Sequence, residues 1–144
     1  MKNARTQVIR IVFVVALLIV GVVSGGAARD WHRRTHPGAA FASINGRELP
    51  PGVQATAYAH ATTDNLFHTT HYWLLAGSAT ALREVIVGSG LRPSDDARYV
   101  LPNLQELFGA SQQRTEVVAG YESDSPRNEW YFIFAGEESA LYAH

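Results

Sequence analysis

The sequence predicts an α+β protein: an N-terminal transmembrane helix, then a small antiparallel β-sheet domain of four or five strands with one main helix packed on it. Three observations support this prediction. Residues 11–28 (IVFVVALLIVGVVSGGAA) carry no charge. Residues 79–87 place apolar side chains at helical spacing. Three short segments between residues 115 and 143 are rich in aromatic and β-branched residues and are separated by turn signals.

The uncharged stretch 11–28 is long enough to cross a membrane. Its 18 residues rise about 27 Å as an α-helix, which is close to the ~30 Å of bilayer hydrocarbon. The most apolar part, 11–23, also fits the hydrophobic region of a signal peptide, since Lys2, Arg5 and Arg10 precede it and small residues follow it. We favour a retained anchor because no clear Ala-x-Ala cleavage site is present. Cleavage, which would release a secreted domain, is the alternative.

The charges that flank this helix predict its orientation. Three basic side chains and the α-amino group precede the helix, and Arg29, Arg33 and Arg34 follow it. The positive-inside rule favours a cytoplasmic N terminus by one charge. The single lysine and the abundance of Ala, Gly and Arg are typical of a GC-rich bacterial genome. We therefore expect a single-pass protein of the bacterial inner membrane with its domain on the periplasmic side. The inverted orientation is the alternative.

Residues 29–52, which follow the anchor segment 1–28, are predicted to form a basic juxtamembrane collar and a linker. Arg29, Trp31, Arg33 and Arg34 are expected at the membrane interface, because Trp favours that region and Arg favours anionic headgroups. Docking of a specific lipid or partner is the functional interpretation of these residues, and a generic interfacial anchor is the simpler one. Pro–Gly, Asn–Gly and Pro–Pro–Gly steps follow, and they predict an extended or looped chain.

Residues 53–144 are predicted to form the small α+β extracytoplasmic domain. Its first element, 53–61, alternates weakly and is predicted to be an edge strand. A turn at 62–65 leads to a second strand, 66–76 (LFHTTHYWLLA), which is rich in aromatic and β-branched residues. Successive side chains of this strand should point to opposite faces of the sheet. Both of its faces are apolar, as in a strand covered on each side.

A helix over residues 79–87 is predicted next, with Ser78 as its N-cap. Leu82, Val85 and Ile86 share one face at helical spacing, so we expect them to pack on the sheet. Two nearby glycines are expected to end the helix.

The remainder is predicted to be a loop followed by a meander of three strands. The loop covers residues 91–113 and contains one short helix that carries Leu104, Leu107 and Phe108. The strands are expected at residues 115–121, 129–135 and 139–143, with turns at 124–128 and 136–138.

Strand 129–135 (EWYFIFA) is apolar on both faces. Trp130, Phe132 and Phe134 alternate with Tyr131 and its neighbours, whereas a sheet with one wet face should alternate apolar and polar residues. We expect the short helix and the linker 41–53 to cover part of the second face, or a partner subunit or second copy to do so. The candidate partner-contact residues are therefore Trp130, Tyr131, Phe132 and Phe134.

Charge and cysteine content exclude several classes of function. From Glu48 onward there are five arginines and 12 acidic residues, a formal charge of −7. A nucleic-acid-binding domain would show the opposite sign. The absence of cysteine excludes disulfides, Cys-ligated zinc, iron–sulfur clusters and thiol nucleophiles.

Histidines near the first predicted turn raise the question of a metal site. His60, Asp64, His68 and His71 lie close in sequence, and His-x-x-His is a ligand spacing on a helix. On a strand, however, residues three apart point to opposite faces, so His68 and His71 would not converge. We therefore expect no metal site. A metal-dependent enzyme or binding site around His60, His68 and His71 is kept as an alternative.

The sequence contains no nucleophile elbow, dinucleotide-binding loop or Walker loop. Its acidic pairs stand in predicted turns, where solvated carboxylates are the rule. We therefore expect no catalytic residue and no cofactor, and we favour a non-enzymatic, membrane-anchored accessory or interaction subunit of a larger bacterial membrane complex. The expected partners are membrane lipid and other subunits or a second copy. A secreted small binding domain is the alternative after signal cleavage.

Overall fold

The structure is a computed structural model, and it divides at the junction between Thr35 and His36 into two compact units. The first unit is one long helix, and the described residues of the second form a sheet and three short helices. The residues that the structure describes are 2–62, 69–95, 101–109, 116–123 and 129–144. The predicted turn residues 63–65 and 124–128, and the start of the predicted second strand at 66–68, lie outside them.

The first unit is helix α1, Lys2–Thr35. Its portion Ile9–Thr35 is long and apolar enough to cross a membrane, and a signal sequence near an N terminus has the same properties. The large apolar side chains are exposed, from 48% at Val15 to 76% at Val22. The helix continues seven residues past Ala28, so the basic residues predicted to form the collar belong to its last two turns. Arg, His, Asp and Trp are all compatible with a helix once an apolar helix precedes them.

Helix α2, Pro37–Asn45, lies in the segment that was predicted to be extended or looped. Pro37 occupies the first helical turn, where its missing N–H costs no hydrogen bond. Gly46 ends the helix with φ 68°, and its N–H donates to the carbonyl of Ala42 at 3.0 Å. The prediction of a linker without regular structure is therefore wrong for these residues, because the Pro–Gly and Asn–Gly steps mark the two ends of a helix.

The second unit contains a six-stranded sheet in which every pair of neighbouring strands is antiparallel. The strands are β1 (Val53–Thr62), β2 (Thr69–Gly77), β3 (Leu91–Pro93), β4 (Val117–Ser123), β5 (Trp130–Phe134) and β6 (Ser139–Ala143). Their spatial order is β1-β2-β6-β5-β4-β3. The predicted edge position of β1 and the predicted meander of β4, β5 and β6 are confirmed.

The prediction of four or five strands missed strand β3. It consists of Leu91, Arg92 and Pro93 and pairs with β4 at the far edge of the sheet. Three residues are too few to show a period of two. Proline is tolerated there because an edge strand leaves one side of its backbone without a ladder partner.

Helix α3, Ala79–Ser89, connects β2 to β3 and is the predicted main helix. Ser78 Oγ accepts a hydrogen bond from the N–H of Ala81 at 3.3 Å, which confirms the predicted cap. Leu82, Val85 and Ile86 are buried as predicted. The hydroxyl of Tyr131 donates to the carbonyl of Leu82 at 3.1 Å and ties the helix to the sheet.

The two faces of the sheet carry separate apolar clusters. The first face presents Trp73, Leu75, Tyr131, Ile133 and Tyr142, and it packs against α3 and against Ala40 and Phe41 of α2. The second face presents Leu74, Phe132, Phe134 and Leu141, and it packs against α4 (Leu104–Phe108), whose N-cap is Asn103. The predicted alternation of side chains in β2 and β5 is confirmed. The expectation that the linker covers the second face is wrong, since α2 joins α3 on the first.

Replacement of Leu82 by Ala should destabilise the domain by about 2–5 kcal/mol, because the side chain is fully buried in a closed core and leaves a cavity. Val87 on the same helix is 82% exposed, so Val87→Ala should change the free energy of unfolding by less than about 0.5 kcal/mol. Denaturant unfolding of the two variants measures the difference. Equal effects of the two substitutions would contradict the packing of α3.

Candidate functional site

The four residues predicted at the membrane interface all lie on the last two turns of α1. Trp31 is 67% exposed. Nε of Arg34 donates to Oδ2 of Asp30 at 3.0 Å, one turn earlier. The ion pairs of the described residues involve neither Arg29 nor Arg33. Because residues four apart share a helix face, Arg29 and Arg33 lie side by side, and Arg34 with its carboxylate partner lies on another side.

A row of titratable side chains crosses one end of the first face of the sheet. His60 of β1 stands opposite His71 of β2, and their ring centroids are 6.4 Å apart. His71 and His144 exchange two backbone hydrogen bonds of 2.9 and 3.0 Å. Nδ1 of His144 lies 3.6 Å from Oε1 of Glu129. We call these four residues, which come from adjacent strand positions, the histidine row.

Hydrogen bonds within the domain hold two members of the histidine row. The hydroxyl of Tyr58 lies 2.8 Å from Nδ1 of His71, and the two rings stack with centroids 6.0 Å apart. Nδ2 of Asn45 donates to the carbonyl of Phe41, so its Oδ1 faces Nδ1 of His144 at 2.7 Å and accepts a hydrogen bond from it. The row is thereby joined both to the sheet and to α2.

Sequence reasoning identified two members of the row and missed the other two. His60 and His71 were singled out because they are close in sequence, but His68 and Asp64 lie outside the described residues. His144 and Glu129 reach the row only through the register of β5 and β6, which local spacing does not reveal. Within the part of the chain that the structure describes, no group of three or more His, Asp or Glu side chains could hold a metal ion. The absence of a metal site from the whole chain stays a prediction.

Glu129 and Tyr142 form a buried polar contact beside the histidine row. Glu129 is 6% exposed and is hydrogen-bonded to Tyr142. Burial raises the pKa of the Tyr142 hydroxyl to about 12; the Glu129 carboxylate acts in the same direction, and the hydrogen bond from Arg47 opposes it. The hydroxyl is therefore neutral near pH 7 and serves as a hydrogen-bond donor.

Arg47 joins α2 to α3 at the same end of the domain. Its guanidinium lies over the rings of Phe41 and Tyr142, 5.8 and 5.7 Å from their centroids. The same group donates to Oγ of Ser89, the last residue of α3, and to the hydroxyl of Tyr142 at 3.3 Å. Arg47 also follows the end of α2 directly, so two helix C-termini favour its charge. This arrangement is structural: it holds the two helices together over the aromatic side chains.

A groove of about 520 Å³ lies between α2 and β1, away from the histidine row. It is lined mainly by small or apolar residues: Gly38, Ala39, Ala42, Leu49, Val53 and Ala55, with Glu48 and Gln54. Glu48 is the one ionisable side chain in this lining. The groove therefore does not combine two titratable groups in the way that general acid–base chemistry requires.

The predicted partner-contact residues are mostly core residues. Tyr131, Phe132 and Phe134 are 0–2% exposed, since α3 covers the first and α4 packs with the cluster that holds the other two. Trp130 is half-buried at the rim of the second face. Of the four predicted contact residues, only Trp130 is therefore accessible to a partner. Contact between Trp130 and a partner stays a prediction.

Comparison of this chain with protein-family models, with curated proteins and with solved structures finds no match.

Proposed function

We propose that this protein is a non-enzymatic, single-pass membrane protein whose C-terminal domain serves as an accessory or interaction subunit of a larger bacterial membrane complex. The observation that carries the proposal is the exposure of α1. None of its candidate span is buried, and the large apolar side chains from Ile9 to Val23 are about half exposed or more. Soluble monomers rarely leave an apolar surface of this extent in water, so a bilayer is its natural environment.

The continuity of α1 supports a retained anchor over a cleaved signal peptide. The small residues at positions 24–28, where a signal peptidase would cut, continue the helix without a break. Arg29 and Trp31 then stand at the end of the apolar run, as in membrane helices that keep their interfacial anchors. The alternative is a secreted domain that has lost this helix.

The contacts inside the sheet domain support an interaction role over catalysis. Ionisable side chains at the polar end of the domain are hydrogen-bonded to other groups of the domain: His71 to Tyr58, His144 to Asn45, and Arg47 to Ser89. Among the described residues, these contacts do not pair a nucleophile with a base oriented by a third group. We infer that the domain acts through its surface, with a partner subunit or a second copy bound in the membrane complex.

The first prediction concerns the span and its orientation, and the absence of native cysteine makes it simple to test. Gln7 and Thr80 are both exposed, so Gln7→Cys and Thr80→Cys can be labelled with a membrane-impermeant maleimide in spheroplasts. Thr80→Cys should react in intact spheroplasts. Gln7→Cys should react only after lysis, and both should remain on the full-length chain in the membrane fraction.

Two results would contradict the proposal in different ways. A soluble Thr80→Cys product that has lost residue 7 would show a cleaved signal peptide. The opposite pattern of labelling would show that the domain faces the cytoplasm. Labelling of both variants after lysis is the control for reactivity.

The second prediction concerns the complex. After extraction in a mild detergent, native mass measurement should find the chain bound to other subunits or to a second copy in fixed stoichiometry. A mass of one chain with only lipid and detergent bound, under conditions that keep other membrane complexes intact, would contradict the interaction role.

Trp130 offers a variant for the same measurement, because it is the predicted contact residue that reaches the surface. Trp130→Ser should lower the fraction of chain in the complex while the circular dichroism of the domain is unchanged. Val118→Ser on the neighbouring strand β4, where the side chain is 43% exposed, is the matched control and should leave the complex intact.

A further inference from the structure

We propose that Arg29 and Arg33 form a binding site for the headgroup of an anionic phospholipid at the end of α1. This inference rests on the proposed function, in which α1 spans a membrane. The partner is identified by its chemistry: a phosphate-bearing lipid with net negative charge, held at the surface of the leaflet from which the helix emerges.

The positions of the two arginines along the helix match the depth of lipid phosphates. Arg10 and Arg29 bracket the uncharged run and are 19 residues apart, which is about 28 Å along an α-helix. The hydrocarbon of a bilayer is ~30 Å thick. Arg29 therefore emerges where the hydrocarbon ends, and Arg33 lies about 6 Å further along the axis, within the headgroup region.

The two guanidinium groups share one side of the helix. Residues four apart are about 40° from each other around an α-helix, so Arg29 and Arg33 can approach one phosphate together. Arginine suits this ligand because its planar guanidinium donates two parallel hydrogen bonds to phosphate oxygens. The ion pairs of the described residues leave both of these side chains out.

Arg34 lies on another side of the helix and has a carboxylate partner there. Its Nε is bound to Asp30 at 3.0 Å, and it lies about 140° around the helix from Arg29. The basic end of α1 is thus divided into a cationic side with Arg29 and Arg33 and a neutralised pair on another side. The net positive charge at this end of the helix therefore lies on one side and is not spread evenly around the axis.

Trp31 fixes the depth at which the two arginines act. Its side chain is 67% exposed and lies about 160–200° around the helix from Arg29 and Arg33. Indole rings favour the boundary between hydrocarbon and headgroups. With the ring held at that level on one side, the arginines on the other side remain at the level of the phosphates.

The test is a measurement of lipid selectivity with the full chain in bilayers. The purified protein is reconstituted into phosphatidylcholine, and electron spin resonance of spin-labelled phosphatidylglycerol and phosphatidylcholine gives the fraction of each lipid held at the protein. Wild type should hold more of the anionic label, and salt should reduce the difference by screening. Arg29→Gln/Arg33→Gln should lower the ratio of the two fractions by about twofold or more.

Three controls separate this site from other sources of selectivity. Asp30→Asn/Arg34→Gln removes the neighbouring ion pair at constant formal charge and should keep the wild-type ratio. Arg29→Lys/Arg33→Lys should recover part of the ratio lost in the glutamine variant, since charge remains and bidentate geometry does not. Lys2, Arg5 and Arg10 are unchanged in every variant, so their attraction for anionic lipid at the other end of the helix cancels in the comparison.

The inference is overturned if the glutamine double variant keeps the wild-type ratio, or if wild type shows no preference for the anionic label. It is also overturned if the double variant loses its complex in native mass measurements at an unchanged lipid ratio, because the arginines would then serve an acidic protein partner. A spectrum without any motionally restricted lipid would show that α1 is outside the bilayer and would contradict the proposed anchor. Restricted lipid without anionic preference would contradict the lipid site alone.

Discussion

The central strands of the sheet are apolar on both sides, and the arrangement of the whole second unit follows from the need to keep both sides from water. Trp73, Tyr131 and Tyr142 stand in neighbouring strands on the first face, while Leu74, Phe132 and Leu141 occupy the second. An antiparallel sheet with one solvated face would have polar residues at one of these sets of positions. Here α2 and α3 cover the first face and α4 packs on the second. The ring of Phe41 is the contact of α2 with this core, at 5.3 Å from Trp73 and 5.1 Å from Tyr142 between centroids.

Local signals predicted those elements whose sequence and environment agree. Helix α3 has an N-cap at Ser78 and three apolar residues at helical spacing, and it lies where the pattern places it. The sequence of helix α2 does not favour a helix, because its nine residues include Pro, Gly and Asn. The burial of Phe41 and Ala40 stabilises it instead. Tertiary packing outweighs weak propensity in a helix this short. Strand β3 is formed by pairing with β4, and its three residues carry no period from which a strand could be recognised.

The candidate sites also contain parts that local sequence signals predict and parts that depend on the fold. The basic end of α1 was predictable because Trp31 and three arginines follow an apolar run in the sequence. The separation of Arg29 and Arg33 from the Asp30–Arg34 pair required the helix to continue past Ala28, since the pair depends on helical spacing. The histidine row was predictable only for His60 and His71. Its other members come from the register of β5 and β6. Of the four aromatic residues predicted to contact a partner, Tyr131, Phe132 and Phe134 are buried in the core, while Trp130 is half-buried and its contact stays a prediction.

The central claim is that α2 is part of the domain core and not a linker without regular structure. The most direct test is the free energy of unfolding of Phe41→Ala, measured by denaturant titration in detergent with tryptophan fluorescence, since Trp73 lies beside Phe41. Ser43→Ala, at an exposed position of the same helix, is the control. The account predicts a loss of about 3–5 kcal/mol for Phe41→Ala, as for a buried phenylalanine, and a change within about 0.5 kcal/mol for the control. A loss for Phe41→Ala as small as that of the control would contradict it.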